Sequence, residues 1–162
     1  MKVLPTLEGG LRVELEDEQD WSIFQELLDD ARGRREDWLA KRLGVLMEEE
    51  DWETYVIPDL AAHFGEQVGE VAQALADAKK EADGYAGELF IARKQGEAWY
   101  GVLNQARLAL EGEWKFGGMD EAEGLDWESE EPAKVAALMR SQLYLLLQSQ
   151  LMEFVLDSGG GE

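Results

Sequence analysis

The stretch AWYGVLNQARLALEGEW, residues 98–114, decides how the rest of the chain reads. Trp99, Val102, Leu103, Ala106 and Leu110 recur three or four residues apart, the spacing of one apolar face of an α-helix. Tyr100, Asn104, Arg107 and Glu111 recur at the same spacing on another face. Asn104 can donate and accept, and Arg107 can fork onto a carboxylate or a carbonyl. Such a row is either a recognition spot or a buried network that fastens this helix to its neighbours. The helix is expected from about Lys94 to Glu111, closed by Gly112.

The neighbouring segments are mostly helical as well. GGLRVELED alternates Leu11, Val13 and Leu15 with charge and predicts a short half-buried strand. Asp17 offers an N-cap for a helix whose apolar face is Trp21, Phe24, Leu27, Leu28 and Ala31, ended by Gly33. A second helix is expected over REDWLAKRLGVLMEE. Pro58 stands near the start of another, as a kink or as a first-turn residue. That helix carries an apolar stripe (Leu60, Phe64, Val68, Val71, Leu75) beside a small-residue stripe (Ala61, Gly65, Gly69, Ala72, Ala76). Its glycines call for an offset, and close approach of a neighbouring helix is the expected one. After the break at Asp83 and Gly84, residues 88–92 read as a second strand, a partner for 11–15. Pro132 fits the first turn of the last helix, with Ser129 or Glu131 at its cap. Apolar on several sides, that helix is expected to be central.

Composition narrows the chemistry. The chain has 162 residues, enough for one domain with a real core, expected over residues 1–157 with a disordered tail at 158–162. Its 36 acidic and 15 basic side chains give a net charge of -21, which disfavours nucleic acid and anionic membrane surfaces and favours basic protein partners. There is no cysteine, so disulfides, thiolate metal sites and cysteine nucleophiles are excluded, and a cytoplasmic setting fits. MKVLPTLEGG lacks a signal peptide's apolar run, and no stretch has the uninterrupted apolar length of a membrane span. No phosphate loop, dinucleotide fingerprint or serine elbow is present, and no cofactor is expected.

Three further clusters have a bland reading beside a functional one. Asp59, His63, Glu66 and Glu70 share a helix face and are either solvated charge or metal ligands. The order here is His-x-x-Glu, whereas di-iron bundles use Glu-x-x-His from several helices. DEAEGLDWESEE has a calcium loop's composition, but Ala122 and Gly124 occupy its third and fifth positions. Arg32, Arg34, Arg35, Lys41 and Arg42 form a basic patch or a set of surface ion pairs. Trp114 and Trp127, near the acidic loop, either mark an interface or fold back onto the bundle.

Trp99, Leu103, Asn104, Arg107, Leu108 and Leu110 meet the pattern Trp-x-x-x-Leu-Asn-x-x-Arg-Leu-x-Leu. With GGLRVEL at the start and Leu147, Gln148 and Leu151 near the end, the chain resembles the bacterial domain-of-unknown-function family twenty-seventeen. The resemblance implies a small, soluble, mostly helical protein without assigned activity. It also implies a gene neighbourhood that often includes a Clp protease adaptor.

The expected fold is mainly α, a bundle of about five helices with at most a small two-stranded β element (11–15 with 88–92). The expected function is a non-catalytic, cytoplasmic interaction or regulatory protein with a protein partner; a homo-oligomer is compatible with it. Its interaction or polar-network residues are Tyr100, Asn104, Arg107 and Glu111. The alternative is a metal-binding or enzymatic bundle on His63, Glu66, Glu70 and Asp59.

Overall fold

The computed structural model describes residues 1–33, 57–116 and 131–156. Strand β1 (Lys2–Pro5) leads into β2 (Leu11–Leu15) and helix α1 (Glu18–Arg32). Helix α2 (Ile57–Glu81) is followed by β3 (Gly87–Ile91), a short 3-10 turn and helix α3 (Gly96–Trp114). Helix α4 (Pro132–Leu151) ends in a π-helical turn, Met152–Leu156. The fold is mainly α, with four helices and one small sheet among the described residues. The helix expected over REDWLAKRLGVLMEE lies outside them, as do the acidic loop, Trp127 and the tail at 158–162.

The sheet has three strands rather than two, antiparallel in the order β1-β2-β3. β2 pairs with β3 from Leu11↔Ile91 to Leu15↔Gly87, one residue earlier along the chain than expected. β1 had no legible period because Lys2, Leu4 and Pro5 are all exposed and Val3 is half-buried. Proline is tolerated there because an edge strand leaves one row of N–H groups unused. Leu11, Val13, Leu15, Leu89 and Ile91 turn one face of the sheet into the core.

The N-terminus of α1 is built as its sequence promised. Asp17 Oδ1 accepts from the Asp20 amide at 2.9 Å, and Asp20 Oδ2 accepts from the Glu16 amide at 2.8 Å, so each aspartate satisfies a backbone donor. Gly33 ends the helix at φ 61°, where a side chain would be strained. Pro58 is the second residue of α2, not a kink.

The core helix is α3, not α4. It packs against α1, α2 and α4. Trp99, Val102, Leu103, Ala106 and Leu110 are all buried, and Trp99 meets Phe24 edge-to-face at 6.1 Å. α4 packs on one side through Ala137, Leu138, Tyr144, Leu147 and Leu151 and leaves Met139, Leu145 and Leu146 exposed. Its apolar content exceeds what its buried side takes up. Gly112 does not close α3; burial of Phe116 and half-burial of Trp114 carry the helix two residues further, and Lys115 takes the left-handed conformation at φ 51°. Trp114 thus folds back onto the core.

The small-residue stripe of α2 is a further correction. A Cβ on Gly65 or Gly69 would meet nothing within 4 Å, so no close helix approach offsets these glycines among the described residues. The apolar stripe deepens along the helix, from half-buried Leu60 and Phe64 to buried Val68, Val71 and Leu75.

Candidate functional site

One member of the polar row of α3, Arg107, is bonded inside the protein. Arg107 donates from Nη1 to Gln148 Oε1 on α4 at 2.6 Å. Gln148 is 3% exposed, so the bond ties α3 to α4 at their interface. The two residues come from separate motifs, Asn-x-x-Arg and Leu-Gln-x-x-Leu, and the fold brings them into contact. Tyr100, Asn104 and Glu111 are half-buried. The side chain of Asn104 has no hydrogen bond among the described residues, and the Arg107 Nε and Gln148 Nε2 groups are buried without one. On the side facing α2, Gln105 donates to Gln67 Oε1 at 3.4 Å; Gln67 in turn lies 3.3 Å from His63 Nε2.

A second tie was missed in the sequence. Asp30 on α1 receives both Nε and Nη2 of Arg140 on α4, at 2.9 and 3.1 Å, and the Tyr144 hydroxyl at 2.8 Å. The Asp30 side chain is only 9% exposed and that of Arg140 21%. The hydrogen bond to Asp30 raises the Arg140 pKa further, against the effect of burial. Burial, then the Asp30 charge and hydrogen bond, push the Tyr144 phenol well above its ordinary value. A signal existed in the sequence: Arg140 is a lone charge within a long apolar run, and Tyr144 lies one turn on. The partner on α1 was not readable, because DDAR offers two adjacent aspartates and only packing selects Asp30 over the exposed Asp29.

Asp59, His63, Glu66 and Glu70 are all exposed on the outer face of α2. Among the described residues, no three acidic or histidine side chains are gathered as metal ligands would be. Of the basic patch, Arg32 is exposed and 3.9 Å from Asp29; Arg34, Arg35, Lys41 and Arg42 lie outside the described residues. No described helix is long and apolar enough to cross a membrane.

One concavity has a coherent chemistry. A groove of about 610 Å³ runs between the C-terminal half of α2 and β3. Ala74, Ala78 and Ala86 supply apolar wall, and Phe90 is 55% exposed beside it. Asp77, Glu81, Asp83 and Glu88 supply four carboxyl groups, and among the described residues no lysine or arginine lines it. The chain turns from α2 into β3 through a tight hairpin in which Asp83 and Ala86 exchange both backbone hydrogen bonds and Gly84 takes φ 62°. Trp21 holds that turn down by donating to the Tyr85 carbonyl at 2.8 Å, while the Lys79 ammonium sits over both rings.

No curated protein and no solved structure matches the chain. A family model does, over residues 2–155, which takes in the sheet, all four described helices and both internal ties. The chain therefore belongs to the family described as Domain of unknown function (DUF2017).

Proposed function

We propose that this protein is a non-catalytic interaction protein that meets a positively charged protein partner through its acidic surface. The carrying observation is the groove between α2 and β3, walled among the described residues by four carboxyl groups and no basic side chain. The polar residues otherwise best suited to chemistry, Asp30, Arg107, Arg140 and Gln148, hold helices together. A net charge of -21 steers cationic partners from a distance, and salt screens that steering. A cytoplasmic regulator or adaptor fits this chemistry. The gene neighbourhood implied by the resemblance makes a Clp protease adaptor the first partner to try.

The test is binding of purified wild-type chain to that adaptor, and capture from bacterial lysate, each at low and high salt. Retention that weakens with salt and survives in Arg107→Ala supports the reading. A partner bound equally at both salt concentrations would show that the acidic surface is not the contact.

A further inference from the structure

The two edges of the sheet are built differently. β1, KVLP, carries Lys2 and Pro5, two of the devices that protect an exposed strand edge from pairing. β3, GELFI, carries neither. It pairs only with β2, and no other strand lies along it among the described residues. Its free side borders the groove, which Gly87, Glu88, Leu89 and Phe90 line from the strand and Asp77 and Glu81 line from α2. We propose that this groove receives an extended, lysine- or arginine-rich segment of a protein partner, which adds to β3 as a fourth strand; this deepens the interaction reading above and rests on it.

The backbone and the charges point to the same occupant. An open edge offers a ladder of N–H and C=O groups to any extended chain, and alternate side chains of that chain reach the two sides of the groove. The five residues of β3 span roughly 17 Å, enough for about five residues of an added strand. The carboxyl groups of Asp77, Glu81, Asp83 and Glu88 select basic side chains, with small apolar residues between them against Ala74 and Ala78. A second copy of this chain is the wrong occupant. Antiparallel pairing of two β3 edges would bring two acidic walls together, each on a chain of charge -21.

The probe is a synthetic peptide of alternating lysine and valine, offered to the full chain at low salt. Its comparison peptides are the same sequence methylated on alternate backbone nitrogens and an alternating glutamate–valine peptide. The lysine peptide is expected to bind, to slow amide exchange across Gly87–Ile91, and to lose at least about tenfold in affinity on methylation of the strand-facing nitrogens. Glu81→Lys/Glu88→Lys should weaken it by at least about tenfold. Glu66→Lys/Glu70→Lys, the same charge change on the outer face of α2, should weaken it far less. Thermal melting checks that each variant is folded. Absence of binding overturns the proposal, and so does binding indifferent to methylation and to the Glu81/Glu88 pair. In that last case, salt-sensitive binding leaves the interaction reading standing and moves the contact to another acidic face.

Discussion

Replacing Asp30 by alanine tests the internal tie between α1 and α4. The substitution removes a carboxylate that is 9% exposed and takes three hydrogen bonds, two from Arg140 and one from Tyr144. The Arg140 guanidinium stays charged in a mostly buried place, and the Tyr144 hydroxyl loses its acceptor. Breaking a buried pair from one side costs about 3–5 kcal/mol. Arg140 keeps 21% exposure, so water still reaches it, and the expected loss is at the low end, about 3 kcal/mol. For a chain of this size that lowers Tm by about 6–12 °C. Asp29 is the internal control: its side chain is 74% exposed and 3.9 Å from Arg32, so Asp29→Ala should cost less than about 1 kcal/mol. The double variant Asp30→Ala/Arg140→Met removes the stranded charge and should recover part of the loss. Urea unfolding with matched m-values gives each figure. A loss below about 1 kcal/mol for Asp30→Ala, or a double variant less stable than the single, would refute the reasoning.

Four other outcomes follow from the same structure. Gly65→Ala and Gly69→Ala together should raise stability by about 2 kcal/mol, because each added methyl meets nothing within 4 Å among the described residues and gains helix propensity; a lower Tm would mean that something occupies that space. Gly10→Ala should destabilise by about 1–3 kcal/mol, since its Cβ would run into the Ile91 carbonyl oxygen, which the backbone cannot readily yield; a Tm equal to wild type would contradict that close approach. The raised Tyr144 pKa favours the protonated phenol in the fold, so its contribution is complete below about pH 10 and is lost as pH climbs above that value. Stability should therefore fall more steeply in alkali for wild type than for Tyr144→Phe, and parallel curves would count against the assignment. His63→Ala should leave elemental content and Tm unchanged; stoichiometric metal lost with the imidazole would instead revive the metal reading of the α2 face.

The sequence already determined the parts whose physics is local. Asp17 caps α1 and Gly33 ends it because a side-chain acceptor and a positive φ act within one turn. The stripes of α1 and α3, and the alternation in β2, set which faces are buried, since periods of 3.6 and 2 leave little choice. Partnership was another matter, because nothing local says which residue a face will meet. The row Tyr100, Asn104, Arg107 and Glu111 was legible as polar, yet the partner of Arg107, Gln148, lies 41 residues away and only the fold brings it near. Asp30, Arg140 and Tyr144 became a network only when the fold brought α1 and α4 within side-chain reach. The apolar abundance of α4 pointed to the core, but burial is decided by how many neighbours surround a helix, and α3 has them. Likewise GELFI read as a strand from its own residues, whereas its pairing with β2 on one side and the acidic groove it shares with α2 among the described residues come only from the fold.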